Sequence, residues 1–175
     1  MIRLMIIALS ALGVSNAQTP PQVPENLKAP ATEVVLLKTL GRGKQIYACK
    51  QKAGADGSFE WVLDRPDAIL FDDEGGEFGK HYKGPTWDAA DSSKVTGQLL
   101  ESVSSPKTNA VPWLLLKAAS NMGAGIFGRV TYIQRVDTDG GMAPSTGCDK
   151  DHVGAENSVP YQADYYFYGA GKSAE

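Results

Sequence analysis

The sequence has few of the residues whose spacing usually marks a catalytic or metal site. It contains two cysteines and two histidines in 175 residues, and it has no Gly-x-Ser-x-Gly segment and no cluster of basic residues. The cysteines lack the clustered spacing of zinc sites, and the nucleophile elbow of α/β-hydrolases is missing. A formal net charge of −3 makes the chain a poor electrostatic match for nucleic acid. We expect no metal, no cofactor and no nucleic-acid partner.

Long apolar runs are also scarce. The one marked run, residues 4–12, is too short to anchor a chain in a bilayer. Arg3 precedes it and Ser15-Asn16-Ala17 follows it, which is the pattern of a cleaved signal peptide. We therefore predict that residues 1–17 are a signal peptide. The mature chain is then an exported protein, periplasmic or extracellular, that does not insert in the membrane.

The remaining chain divides by composition. Residues 18–32 contain four prolines, which favour an extended lead-in over a helix or a central strand. Residues 169–175 are small and polar and predict a flexible tail. Residues 33–168 have the length of one domain with one core.

The interior of this domain shows strand patterns and no convincing helical periodicity. In residues 58–64, Phe59, Trp61 and Leu63 fall on one face of an extended chain and Ser58, Glu60 and Asp64 on the other, as in a half-buried strand. Gly41-Arg42-Gly43 predicts a turn, and residues 113–121 fit either a helix or a strand. The other predicted strands are residues 33–39, 44–50, 67–72, 112–118, 126–136 and 161–168. This pattern predicts an all-β domain, either an antiparallel β-sandwich or a jelly-roll-like barrel.

The two cysteines, Cys49 and Cys148, are interpreted first as a disulfide. An even number of cysteines in an exported chain favours this pairing. The alternative is a metal-binding pair.

A glycine motif, Gly123-Ala-Gly125-Ile-Phe-Gly128, has the spacing of a dinucleotide-binding loop. That loop requires a helix immediately after the glycines. The residues that follow here are strand formers, so we predict a tight turn or bulge and no nicotinamide cofactor.

The segment His81-Tyr82-Lys-Gly-Pro-Thr-Trp87-Asp-Ala-Ala-Asp91 is the first candidate site. A histidine with a nearby acid can act as a base, and a tryptophan beside a polar loop can stack on a sugar. Alternatively, Trp87 fills the end of the core. We expect Trp87 to be mainly structural and His81 to be the more exposed of the two.

Arg129 and Arg135 form the second candidate. If residues 126–136 are one strand, both guanidinium groups lie on the same face and can grip a carboxylate or phosphate. Alternatively, they lie on a solvated face and pair with acids such as Asp164.

Several motifs in fixed order resemble domain-of-unknown-function family 3455, a group of small exported proteins of bacteria and fungi. They are Gln45-Ile-Tyr47-x-Cys49, His81-Tyr82-x-Gly84-Pro85-Thr86-Trp87, Pro112-Trp113-Leu-Leu-Leu116, Val130-Thr-Tyr-Ile-Gln-Arg135-Val-x-Thr138-x-Gly140-Gly141, Cys148-Asp149 and Tyr161-x-Ala163-x-Tyr165-Tyr-Phe-Tyr168. The resemblance implies a secreted β-protein with paired cysteines and no established activity. Some fungal members carry a dehydrogenase label, which the strand formers after Gly128 argue against. The family pattern has Asp-Gly-Ser where this chain has Asp91-Ser92-Ser93.

These observations favour a binding module for a polar ligand, such as a small molecule or glycan, over an enzyme. The candidate ligand-binding residues are His81, Tyr82, Trp87, Asp91, Arg129 and Arg135. One alternative is a hydrolase that uses the His81–Asp91 segment, and another is a structural protein of the envelope. A nicotinamide-dependent dehydrogenase is not expected.

Overall fold

The protein is described by a computed structural model that covers residues 18–54 and 57–171. The predicted signal peptide, residues 1–17, lies outside the described residues, as does the end of the predicted tail, residues 172–175. Within the described part, the strands are β1 Glu33–Gln51, β2 Phe59–Phe71, β3 Glu77–Tyr82, β4 Thr86–Ala89, β5 Lys94–Val103, β6 Trp113–Met122, β7 Tyr132–Gly140 and β8 Glu156–Ala170. Two short 3-10 helices, Glu25–Leu27 and Ile126–Arg129, complete the regular structure.

The eight strands form a closed antiparallel barrel. Each strand pairs with its neighbours in the sequence, and β8 closes the sheet by pairing with β1. The predicted all-β, antiparallel, single-domain architecture is therefore confirmed. Of the two arrangements expected, a barrel is the one observed, but its strands follow simple chain order and lack the Greek-key connections of a jelly roll. No helix in the described part of the chain is long and apolar enough to cross a membrane.

The predicted turn at Gly41-Arg42-Gly43 is wrong, because β1 runs through it without interruption. In this stretch β1 pairs with β2 on one side and with β8 on the other. A Cβ atom on Gly43 would lie 2.1 Å from the carbonyl oxygen of Asp67, and one on Gly41 would lie 2.6 Å from the ring of Tyr165. These glycines thus allow close approach of neighbouring groups inside a strand.

The predicted strand over residues 126–136 is also wrong in its first part. Residues 126–129 form the second 3-10 helix, and β7 begins only at Tyr132. Phe127 is fully buried in the core, and Asn121 donates side-chain hydrogen bonds to the carbonyls of Phe127 and Val130, at 2.8 and 2.9 Å. The glycine motif thus lies in a tight turn that leads into β7, without the α-helix that a dinucleotide site requires.

The preceding segment, residues 113–121, fitted either a helix or a strand, and it forms strand β6. The separately predicted runs 58–64 and 67–72 form one long strand, β2. The predicted tail begins later than expected, since β8 includes Gly169 and Ala170.

Alternate residues of β8 fill the barrel, and the residues between them point outward. The inward set shares one core with residues of every other strand; its members are Tyr161, Ala163, Tyr165 and Phe167. Tyr166 and Tyr168 belong to a second cluster, which includes Val23 and Ala29 of the lead-in. Residues 18–32 contain the first 3-10 helix and a turn at residues 31–32 and no strand, and Leu27 is fully buried. The lead-in therefore packs against the outside of the barrel.

The predicted disulfide between Cys49 and Cys148 is confirmed, with Cα atoms 5.3 Å apart. It ties the end of β1 to the loop between β7 and β8. Within the described residues, no group of three or more histidine, cysteine or carboxylate side chains is placed to hold a metal ion.

Candidate functional site: a cavity at one end of the barrel

A cavity of about 290 Å³ opens at one end of the barrel. Strands from around the barrel contribute to its wall, so it lies inside the sheet and not between surface loops. Its lining residues are Gln45, Leu63, Asp64, Arg65, Pro66, His81, Gly84, Pro85, Trp87, Gly97, Leu99, Leu114, Leu116, Arg135 and Tyr165.

The β3–β4 hairpin supplies an aromatic wall. His81 and Trp87 face each other across this pair of strands, and their rings stack with centroids 4.4 Å apart and planes 11° from parallel. Tyr165 packs edge-on against both rings, at 5.2 and 5.7 Å. Trp87 is only 1% exposed, which agrees with its expected structural role. His81 is the more exposed of the two by a small margin only, at 3%, so both rings belong to the interior.

His81 is held as a neutral imidazole. Its Nδ1 lies 2.9 Å from the carbonyl oxygen of Thr86, and because a carbonyl can only accept, Nδ1 carries the proton. Burial lowers the pKa of His81 to about 3; the hydrogen bond to Thr86 opposes this shift, and the nearby positive charge of Arg135 contributes to it. In neutral His81 the other nitrogen, Nε2, is therefore a hydrogen-bond acceptor.

This burial predicts a specific pH dependence of stability. The unfolded His81 has an ordinary pKa near 6.5, above the folded value of about 3, so the unfolded state takes up a proton first as the pH falls. Between pH 7 and pH 5 we expect His81 to contribute a loss of about 2 kcal/mol in the free energy of unfolding. The check is urea denaturation of wild type and His81→Asn, whose amide can still donate to Thr86, at both pH values. The contributions of all other titrating groups cancel in the difference between the two proteins. Equal pH dependence of the free energy of unfolding in both would therefore contradict a neutral, buried His81.

Arg135 brings a positive charge to the same cavity. It lies on β7 opposite Tyr165 of β8 and is 8% exposed. Its Nε and Nη2 atoms donate to the carbonyl oxygen of Pro112, at 3.1 and 2.8 Å. Among the described residues no carboxylate lies within 4.0 Å of its guanidinium group. The cation is therefore buried without a counter-charge, an arrangement that is costly in a protein interior.

Two further polar side chains in the cavity wall lack partners. Gln45 is 1% exposed, and its Nε2 amide group meets no acceptor among the described residues; the same holds for Nε1 of Trp87. Buried donors are usually hydrogen-bonded, and those that are not call for an explanation. Gln45 was not predicted to be a site residue. Alternation along the strand places it on the same face as Tyr47 and Cys49, but a single glutamine does not indicate any particular chemistry.

The remaining candidate residues lie elsewhere. Tyr82 donates to Asp88 at 3.0 Å and accepts from Lys94 at 3.3 Å. It does not line the cavity. Arg129 lies in the second 3-10 helix and not on β7, so the prediction that it shares a strand face with Arg135 is wrong. Of the six predicted residues, the structure brings together three: His81, Trp87 and Arg135.

Asp91 organises a turn near that 3-10 helix. Its carboxylate accepts from the hydroxyl of Ser93, from the backbone of Ser93 at 2.9 Å and from that of Ile126 at 3.0 Å, and these three bonds lower the pKa of Asp91. Ser92 has a φ of 67°, in the left-handed region that favours glycine. The turn therefore keeps the glycine-type backbone even though this chain has serine there.

A family model described as "Protein of unknown function (DUF3455)" matches residues 30–169. The chain belongs to this family. No curated protein and no solved structure matches the chain.

The DUF3455 match contains the complete cavity. Every residue that lines it falls within residues 30–169, and so do both cysteines of the disulfide. The barrel, its interior site and its covalent link therefore belong to the family domain and not to a separate extension of this chain.

The mouth of the cavity is apolar, with charged groups beside it. Leu63 and Leu99 line it and are 48% and 54% exposed. Arg65 is bound by Asp64 and Glu156, at 2.6 and 2.8 Å, so its charge is compensated at the rim. Two half-exposed leucines at an opening favour contact with an apolar part of a ligand.

Proposed function

We propose that this protein is an exported binding protein that holds a small organic molecule inside its barrel. The observation that carries the proposal is the open cavity lined by buried, unpartnered hydrogen-bonding groups, Gln45 and Trp87, beside the uncompensated Arg135. Ligand sites combine a mainly apolar wall with a few polar groups that orient the ligand. Export is supported by the N-terminal sequence pattern and by the disulfide, which is typical of oxidising compartments.

The volume of the cavity limits the size of the ligand. Small-molecule sites have volumes of about 300–1,000 Å³, and a cavity of about 150 Å³ admits benzene. A cavity of about 290 Å³ therefore suits a molecule with roughly the bulk of two fused rings or of a monosaccharide.

The geometry supports binding through polar contacts better than stacking of a sugar on tryptophan. Trp87 is almost completely buried, and the ring of His81 covers one of its faces. Stacking of a sugar on an aromatic ring needs a free face of that ring. Binding of a ligand through hydrogen bonds to the polar groups of the wall does not need one.

The geometry gives no support to hydrolysis by the His81–Asp91 segment. A general base must be within hydrogen-bond reach of its partners. Among the residues that the structure describes, Asp91 accepts hydrogen bonds from Ser93 and Ile126, and the ring of His81 is bonded to the backbone of Thr86. The open cavity likewise favours a binding role over a purely structural one.

The test uses a matched pair of substitutions on β5. Leu99 lines the cavity, whereas its neighbour Leu100 does not although it is 45% exposed. We expect Leu99→Trp to fill the mouth and to weaken ligand binding at least tenfold, and Leu100→Trp to leave binding unchanged. The ligands come from a thermal-shift screen of monosaccharides and small aromatic and aliphatic acids and amides, followed by calorimetry. Equal binding by both variants would place the ligand outside the barrel and would refute the proposal.

A further inference from the structure

We infer that the ligand carries a carboxylate group, which binds to the guanidinium group of Arg135 inside the barrel. This inference rests on the proposed function and names the chemical class of its ligand. The expected ligand is a small monocarboxylic acid with an apolar body.

The charged side chains of the described residues leave the positive charge of Arg135 unbalanced. The titratable groups that face it are His81, Tyr47, Tyr161 and Tyr165, because the charge of Arg135 lowers the pKa of each. Burial outweighs this effect for the three tyrosines and raises their pKa, and it keeps His81 neutral. All four groups are therefore uncharged near neutral pH, and none of them balances the cation. An anionic ligand group would supply the missing charge.

The guanidinium group of Arg135 is bound to the backbone along one edge of its planar fork, where its Nε and Nη2 atoms share the carbonyl oxygen of Pro112. The hydroxyl of Tyr165 also interacts with the guanidinium group, but it is neutral and supplies no counter-charge. The second edge, formed by Nη1 and the other hydrogen of Nη2, has two parallel N–H groups of the kind that bind a carboxylate in a bidentate manner.

The other unpartnered groups of the cavity wall are hydrogen-bond donors. Nε2 of Gln45 and Nε1 of Trp87 are both donors. A carboxylate is a pure acceptor with about four lone-pair sites, so it can satisfy several donors at once. A sugar hydroxyl, in contrast, presents a donor of its own for which a donor-rich wall offers few acceptors.

The apolar part of the wall defines the rest of the molecule. Leu114 and Leu116 line the interior beside the polar groups, and Leu63 and Leu99 continue this surface to the mouth. Since Arg135 is far less exposed than the leucines of the mouth, the acid group points inward and the apolar body lies toward the opening.

The experiment compares acids with neutral molecules of the same shape on the wild-type mature protein. The probes are 2-naphthoate with 2-naphthamide and octanoate with octanamide, measured by calorimetry at pH 7.5 and low salt. We expect at least one acid to bind at least tenfold more tightly than its amide. Its affinity should stay constant between pH 6 and pH 9, because Arg135 remains charged and its buried neighbours remain neutral. The comparison requires no substitution, so it does not depend on whether a variant folds.

Substitutions at Arg135 supply the second arm. Arg135→Gln should abolish the preference for the acid, whereas Arg135→Lys, which keeps the charge but loses the planar fork, should retain part of it. Equal binding of acid and amide would overturn the inference and leave the proposed function standing. Failure of every acid and amide to bind would also overturn it, and the monosaccharide arm of the screen would then decide the proposed function separately. An acid preference that survives in Arg135→Gln would show that another group binds the anion and would overturn the assignment.

Discussion

Replacing Trp87 with alanine is expected to lower the free energy of unfolding by about 3–5 kcal/mol, the usual cost of truncating a large buried aromatic residue. The indole is almost fully buried and contacts the rings of His81, Tyr165 and Phe167. The truncation would leave a cavity and remove the contacts between these rings inside the barrel. Urea denaturation followed by far-ultraviolet circular dichroism measures the loss.

Trp61 provides the matched control for this substitution. It is only partly buried, and its indole nitrogen donates to the carbonyl of Thr146 at 2.8 Å. Trp61→Ala should therefore lose a hydrogen bond and some surface contact, at a cost of less than about 2 kcal/mol. If the two variants lose the same stability, or if Trp87→Ala loses less than about 1 kcal/mol, Trp87 is not the core residue that the structure shows.

Removing the disulfide is expected to have an effect of similar size, about 2–5 kcal/mol. The bond joins residues separated by 99 positions. In the chain-entropy model, closing a loop of this length strongly reduces the conformational entropy of the unfolded chain. Cys49 is fully buried, so the substitution is made with alanine at both positions to avoid burying an unpaired hydroxyl. Chemical denaturation of the Cys49→Ala/Cys148→Ala variant and of oxidised wild type gives the difference.

Reduced wild type serves as the second comparison. It should lose about the same stability as the double variant and keep its strand content in far-ultraviolet circular dichroism, because the bond acts mainly on the unfolded chain. Quantitative labelling of both thiols in native, never-reduced protein would contradict the presence of the bond.

The periodicity of the chain was enough to predict its class of fold. The two-residue period in residues 58–64 and the aromatic run in residues 161–168 predicted strands, and residues 59–64 and 161–168 lie in strands of the barrel. The errors arose where a local signal had a tertiary cause. Gly41 and Gly43 indicated a turn, yet they lie within β1 because neighbouring groups approach its backbone too closely for a side chain. Likewise, strand-forming residues after Gly125 enter a 3-10 helix, where Phe127 is buried in the core.

The candidate site was only partly predictable for a related reason. His81 and Trp87 were singled out as close neighbours in a polar segment, and their burial depends on which face of the β3–β4 hairpin turns inward. Arg135 was singled out as half of a surface pair with Arg129. Its partner lies in a different element, and its own environment is created by β8 and by Pro112.

The sequence by itself determined the chemistry available to this protein: strand-forming alternation, one pair of cysteines, few histidines and an N-terminal export pattern. Those features depend on the order and type of neighbouring residues, which the chain displays directly. Only the tertiary structure decided that β8 closes on β1 and that Gln45, His81, Trp87 and Arg135 line one cavity. Closure pairs residues more than one hundred positions apart, such as Gln45 with Val159. The charge of Arg135 is buried and unbalanced only after all the strands have enclosed the interior, so the order of residues along the chain does not show it.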